Sequence, residues 1–290
     1  MVGSNAVAVS GTHGKSTTTA MLAWTLVRAG SDPTVVCGAP LLGHTDGGRH
    51  GRGPIVLAEA CEYRANFLRL APRTAVITGV EADHFDYYRD LAAVEQAFGR
   101  FARRVPPAGL IVARHDCSAT RRVVAGAACR VETFGVDDEA DWSARPVGVG
   151  AGRYRFEVCY HGQSLCEIGL SVPGMHNVLN ALAATAVAHH QGVGSDVVAD
   201  ALAAFPGLRR RLEEVGVWQG VTLVDDFAHH PTEVSAALAT LRQTYPGRRL
   251  VCVFQPHQAS RTARLLDEFA ESLHNVGMLW VAEIYRAREP

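Results

Sequence analysis

An α/β protein is predicted by this sequence: a mostly parallel sheet carrying a small antiparallel ribbon, opened by a phosphate-binding loop and followed by a second, partial strand–helix series. Three observations carry the prediction. Short apolar runs alternate with helix-length stretches through the first half of the chain, the pattern of parallel strands joined by crossover helices. One such run, residues 6–9, passes through two glycines into a helix expected over residues 18–29. Pro206-Gly207 then punctuates the chain, and a second alternating series begins.

Further strands are expected at residues 35–38, 55–59, 74–80 and 110–114, with helices near 91–105 and 118–127. Residues 152–172 break the pattern. Tyr154, Phe156 and Val158 alternate with polar neighbours, and His161-Gly162 supplies a hairpin turn, so this stretch reads as an antiparallel ribbon. Helices follow at 178–191 and 195–205. The second series reads as strands at 221–225, 250–254 and 278–284, separated by helices at 231–245 and 261–274. The boundary between the two units falls near 207–215, and the acidic run 137–141 reads as a solvated loop. Both ends are abrupt for domains of this kind, which raises the expectation of flanking sequence and of a third unit that is only partial.

Residues 11–17 read Gly-Thr-His-Gly-Lys-Ser-Thr, and Lys15 is the only lysine among the 28 lysine and arginine residues. A strand, a glycine turn and a helix amino-terminus make an anion cradle from backbone N–H groups and the helix dipole. A lysine there reaches between phosphoryl oxygens, and Ser16 offers a hydroxyl to magnesium. The spacing is the short G-x-x-G-K-S form, with Val9 where the commoner loop has glycine. An ordinary strand-to-helix turn is the competing reading; the lysine census speaks against it.

Composition narrows the class. The formal net charge of −1 gives no general attraction to nucleic acid or anionic membrane. Seven scattered cysteines without a C-x-x-C pair suggest reduced thiols in the cytoplasm. No apolar run approaches the ~18 residues of a membrane span.

Several polar groups fall at the carboxyl ends of expected strands, where open α/β sheets gather ligands. Glu59 ends one strand and His84 follows another; if those strands are neighbours, the two side chains converge beside the loop as metal ligands. Magnesium prefers oxygen, so His84 points to a second metal, to manganese, or to a contact through water. A solvated carboxylate is the alternative for Glu59. Asn177, opening a long helix beside His176 and Asn180, is either an N-cap or a purine contact. Asp225-Asp226-Phe227-Ala228-His229-His230-Pro231-Thr232-Glu233 concentrates acids and imidazoles between a strand end and a helix start, and residues 254–262 end the next strand similarly.

These segments, G-T-H-G-K-S-T, E-A-C-E, E-A-D-H-F-D-Y-Y, G-M-H-N-V-L-N, D-D-F-A-H-H-P-T-E and F-Q-P-H-Q-A-S-R-T, stand in the order seen in the Mur ligases, and the sequence resembles that family from residue 5 to 286. The resemblance implies a central ATP-binding domain over 1–207 and part of a Rossmann-like carboxy-terminal domain over 208–290, with the family's amino-terminal UDP-binding domain absent. It implies an ATP- and magnesium-dependent ligase of peptidoglycan precursor synthesis, working through an acyl phosphate. The closest type joins L-alanine to UDP-N-acetylmuramate. Murein tripeptide recycling and a non-catalytic nucleotide-binding module are the alternatives. By the family's pattern Gly11, Thr12, His13, Gly14, Lys15, Ser16 and Thr17 cradle phosphates, and Ser16, Glu59 and His84 hold metal. His176, Asn177 and Asn180 lie near adenine, Arg211 near the phosphates, Asp226 near ribose and His229 near the amino acid or acyl phosphate. Lys15, His84, His229 and Arg211 form the implied catalytic set. Phe227 departs from a common tyrosine. Relatives that add other amino acids use a carbamylated lysine, a device closed to a chain whose one lysine serves phosphate.

Overall fold

The computed structural model describes residues 5–289. Strand β1 (Ala6–Ser10) leads into helix α1 (Lys15–Arg28), followed by β2 (Thr34–Val36), β3 (Gly48–Arg49) and β4 (Val56–Glu59). A 3-10 segment over Tyr63–Arg69 precedes β5 (Thr74–Ile77). Then come α2 (Leu91–Ala102), β6 (Leu110–Arg114), α3 (Ser118–Val124) and β7 (Arg130–Gly135). Strands β8 (Trp142–Gly150), β9 (Arg153–Tyr160) and β10 (Gln163–Gly169) form a meander before α4 (Met175–His190) and α5 (Ser195–Ala203).

All ten strands belong to one sheet, ordered β10-β9-β8-β7-β6-β5-β1-β4-β2-β3. β1 lies parallel between β4 and β5. Val7 and Val9 enter one core with Met21, Leu22 and Leu182, while Ala8 faces the other with Phe67, Phe98 and Phe101. Two covered faces explain why β1 is continuously apolar rather than alternating. The sheet therefore delivers the end of β1, and the loop after it, to the middle of one edge of the molecule.

The antiparallel part is larger than the sequence suggests. β8 pairs parallel with β7 and antiparallel with β9, so the ribbon continues the main sheet. Neither β7 nor β8 carries a clean apolar alternation, because β7 buries Glu132 and the outer half of β8 is exposed. Asp141 in the acidic turn is more than solvated: it accepts from the Thr133 N–H at 2.7 Å and its hydroxyl at 2.9 Å.

Beyond Pro206 the pairing differs from expectation. β12 (Val221–Asp225) pairs antiparallel with β11 (Glu213–Trp218), an exposed strand whose bulge between Glu214 and Gly216 hides its period. Helix α6 (Pro231–Thr244) follows, and β13 (Val251–Phe254) pairs parallel with β14 (Met278–Val281). The single helix expected over 261–274 is two, α7 (Ala259–Arg264) and α8 (Leu266–Leu273), broken where Leu265 leaves helical geometry. Val234, Leu238, Phe254, Phe269 and Leu273 form the small core of this part. Among the described residues no helix is long and apolar enough to cross a membrane.

Glu132 is the deepest charge far from the loop. Its carboxylate accepts from Trp142 Nε1 at 2.7 Å and the Tyr160 hydroxyl at 3.0 Å, with His190 Nε2 at 2.8 Å. Burial opposes its ionisation, yet these partners prevail and hold its pKa at about 2. A depressed carboxyl stabilises the fold above its unfolded value near 4.5 and loses that contribution as pH falls toward 2. The shift corresponds to on the order of 3 kcal/mol. Thermal melts of Glu132→Gln should start lower at pH 7 and fall less between pH 4.5 and 2 than the wild type. Parallel melting curves would contradict the assignment.

Candidate active site

The chain leaves β1 through Gly11 (φ 138°), reaches Gly14 (φ 78°), and enters α1 with no side-chain cap and no acidic residue in its first turn. The first N–H groups of α1 therefore stay open to an anion. A Cβ at Gly11 would collide with Thr78, and one at Gly14 with the Asn180 amide oxygen. The loop is thus clamped between the β5 end and α4. Asn180 accepts from the Thr18 hydroxyl at 3.2 Å and donates to Asn177 Oδ1 at 3.2 Å. Asn177 donates to the Pro173 carbonyl at 2.7 Å, and the N-cap of α4 is Gly174, so Asn177 is no cap. Thr12 accepts from the Glu81 N–H at 2.8 Å. His176 is buried deeply enough to push its pKa down to about 4, leaving a neutral imidazole.

Lys15 Nζ donates to the Gly11 carbonyl at 2.7 Å, the Thr12 carbonyl at 3.1 Å and Glu62 Oε1 at 3.0 Å. Burial disfavours its charge, but Glu62 outweighs that and raises its pKa; the same pairing, again against burial, lowers that of Glu62. His84 Nε2 stands 3.4 Å from Glu62 Oε1, with its ring 5.0 Å from Tyr63. Its backbone occupies the left-handed region at φ 54°, where non-glycine residues are uncommon and often functional. Glu59 accepts from the Gly38 N–H at 2.7 Å. The expected adjacency of the Glu59 and His84 strands is corrected here: β1 lies between β4 and β5. Glu62, not Glu59, meets His84, because the short segment after β4 carries it under the loop.

The second part of the chain closes a cavity of about 590 Å³ over this loop. Ser16, Thr17, Glu59, His176, Arg211, Asp226 and His229 all reach its wall. Asp226 accepts from the Leu212 and Ala228 N–H groups, each at 2.7 Å, and burial raises its pKa in spite of Arg211. The Arg211 guanidinium lies 5.5 Å from the Phe227 ring, with no carboxylate in ion-pair range among the described residues. His229 Nδ1–H donates to the Phe227 carbonyl at 2.8 Å, and burial lowers its pKa, so Nε2 keeps a lone pair.

Residues outside the predicted set hold the two parts together. Glu233 bonds His13 Nδ1 at 2.9 Å and accepts from the His229 N–H at 3.0 Å. Burial works against a charged His13, but Glu233 and Glu81 raise its pKa to about 9. Arg261, 2% exposed, grips Asp83 through Nε at 2.6 Å and a terminal nitrogen at 3.2 Å. Burial opposes the Asp83 carboxylate, and Arg261 nevertheless holds its pKa well below the usual range. Asp83 also accepts from the His84 N–H at 2.6 Å, so this clasp reaches the His84 turn. Glu62, Asp83, Glu233 and Arg261 sit in the same segments that supplied the predicted residues; only their partners, distant in sequence, distinguish them. Removing one member of a buried pair strands the other, at about 3–5 kcal/mol. Arg261→Ala should lower stability by that order in equilibrium urea unfolding, and a loss below about 1 kcal/mol would show the clasp to be dispensable.

Two family models match the chain: "Mur ligase middle domain" over residues 9–188 and "Mur ligase, glutamate ligase domain" over 210–288. It is 43% identical over 283 residues to UDP-N-acetylmuramate–L-alanine ligase of Salinibacter ruber, covering 98% of this chain and 60% of that one. The ligase of the same name from Oleidesulfovibrio alaskensis is 44% identical, with 98% and 62% covered. The crystal structure of UDP-N-acetylmuramate-alanine ligase from Thermotoga maritima superposes with a TM-score of 0.80 at 29% identity, over 97% of this chain and 62% of that one. The chain thus spans about 60% of the length of the curated relatives it matches. With the middle-domain model covering more than half of its residues and relatives this similar along nearly all of it, the chain belongs to the Mur ligase family.

Proposed function

We propose that this chain carries the ATP-binding and amide-forming part of a cytoplasmic ligase that adds L-alanine to UDP-N-acetylmuramate in peptidoglycan precursor synthesis. The observation that carries the reading is the partly buried Lys15–Glu62 pair under an uncapped helix start, facing a cavity closed by His229 and Arg211. Residues 1–207 and 208–290 act as the central and partial carboxy-terminal units. Seven free cysteines suit a reducing cytoplasm.

Gly11 to Thr17 bind the β- and γ-phosphates through backbone N–H groups and Lys15. His176, Asn177 and Asn180 border the adenine, and Asp226 meets the ribose. Arg211, without a carboxylate partner among the described residues, turns its guanidinium to the phosphates. The site also fits magnesium: Ser16 and Glu59 offer the oxygen donors that ion prefers, and Glu62 Oε2 and His84 Nδ1 are buried polar atoms without a hydrogen-bond partner among the described residues. Bound there, magnesium would neutralise phosphate charge.

The substrate carboxylate attacks the γ-phosphorus and ADP departs, giving an acyl phosphate. Lys15 and Arg211 hold the transferring group, where electrostatic stabilisation is the largest expected contribution. The amino group then attacks the carbonyl carbon, and the C–O bond to phosphate breaks. His229, neutral and with Nε2 unprotonated, takes the proton that the amine gives up.

Nucleotide binding is testable on this chain directly: calorimetric titration with ADP and magnesium should give one site. Lys15→Ala should weaken binding and, in the chain joined to the flanking segments of a relative, lower alanine-dependent phosphate release by at least about 100-fold, roughly 3 kcal/mol of transition-state stabilisation. Wild-type turnover in that variant would refute the role. A panel of amino acids and the free tripeptide in the same assay separates L-alanine addition from tripeptide recycling.

A further inference from the structure

His13, Glu81 and His230 face one another beside the phosphate loop, and the reaction above uses none of them as a metal ligand. They come from three elements: the loop before α1, the segment after β5, and the N-cap of α6. Glu81 Oε2 stands 3.5 Å from His13 Nε2 and 3.8 Å from His230 Nδ1, and the three ligand atoms lie within 4.8 Å of one another. These separations are long for hydrogen bonds. They approach the spacing of neighbouring ligands on a tetrahedral ion with bonds of about 2.1 Å, roughly 3.4 Å.

The outer nitrogens complete the pattern. His13 Nδ1 meets the Glu233 carboxylate at 2.9 Å, and His230 Nε2 meets the Ala82 carbonyl at 3.3 Å. With a hydrogen on each outer nitrogen, and with the ion displacing the inner proton of His13, the inner nitrogens of both rings would point toward Glu81, the arrangement by which surrounding groups orient metal-bound imidazoles. Among the described residues, the buried His13 Nε2 has no hydrogen-bond partner, a cost that a bound cation would remove. Two hydrogen bonds compete for the ligand atoms: the Thr232 N–H lies 3.3 Å from His230 Nδ1, and the Thr232 hydroxyl donates to Glu81 Oε2 at 2.7 Å.

We infer that His13, Glu81 and His230 form a binding site for one divalent transition cation of the zinc class, its remaining positions open to water or a phosphate oxygen. Two imidazoles and one carboxylate suit such an ion and not magnesium. Its ligand set is separate from Ser16, Glu59 and His84, and it would pin the phosphate loop to α6.

The test uses the chain with any affinity tag removed, in excess magnesium and without nucleotide, titrated with cobalt(II). One equivalent should bind with visible ligand-field absorption, be displaced by zinc(II), and show two exchangeable, paramagnetically shifted imidazole N–H resonances, one from each histidine. Glu81→Gln and His230→Asn should each weaken binding at least tenfold, with folding checked by circular dichroism. Absence of a stoichiometric site, or wild-type affinity in both folded variants, overturns the inference. If a variant does not fold, the wild-type spectrum decides alone: two shifted resonances support the site and fewer overturn it. No readout depends on nucleotide or turnover, so the site stands or falls apart from the ligase reading.

Discussion

Lys15 holds its ammonium group 3.0 Å from the Glu62 carboxylate, the acid closed to water and the lysine partly open to the cavity, and the rest of the cavity is arranged around that pair. A buried charge is tolerated only when paired and hydrogen-bonded. Placing a cation where β1 meets α1 therefore requires a carboxylate beneath the loop, and the segment after β4 supplies one. The two loop carbonyls that also receive the ammonium fix its direction. Glycine at 11 and 14 follows from the same constraint, since Thr78 and Asn180 press the loop from either side.

The same rule, applied across the seam between the two parts, divides the cations of the cavity into two kinds. His13 and Arg261 are committed, one to Glu233 and Glu81, the other to Asp83, and they join the second part to the loop and to the His84 turn. Arg211 rests near Phe227 with no carboxylate in ion-pair range among the described residues. Committed cations build the cavity; an uncommitted one is available to a ligand. The departure from tyrosine at Phe227 fits this division, because an aromatic face supports a guanidinium without competing for it through a hydroxyl.

Much of the main sheet was legible because its central strands are buried on both faces and read as plain apolar runs. β7, β8 and β11 were not, for a physical reason: β7 buries a carboxylate whose partners lie far along the chain, and the outer parts of β8 and β11 face solvent. The loop, the strand-end acids and the D-D-F-A-H-H-P-T-E segment were legible as polar groups gathered at strand ends, and the structure brings them to one cavity wall. What sequence could not supply was partnership. Nothing local joins Lys15 to Glu62, His13 to Glu233 or Asp83 to Arg261, the last separated by 178 positions. Glu59 and His84 were paired on the assumption of neighbouring strands, and strand order, a property of the whole sheet, placed β1 between them.

Charge balance carries the argument to metal dependence. The cavity wall includes the carboxylates of Glu59, Glu62, Glu81, Asp83, Asp226 and Glu233. Against them stand Lys15, Arg114, Arg211, Arg261, Arg288 and a protonated His13. The pairs already described consume most of those cations, and Arg114 is bound to Asp116. A nucleotide triphosphate would add several negative charges to a wall that has little positive charge to spare. Arg211, Arg288 and the ammonium of Lys15 offset only part of that charge, and Lys15 does so at the expense of the Glu62 pair. Divalent cations arriving with the nucleotide would resolve the imbalance at the place where oxygen donors remain unsatisfied. Under the proposed function, dependence on such ions would follow from how the protein keeps its buried carboxylates, before any step of the chemistry is considered.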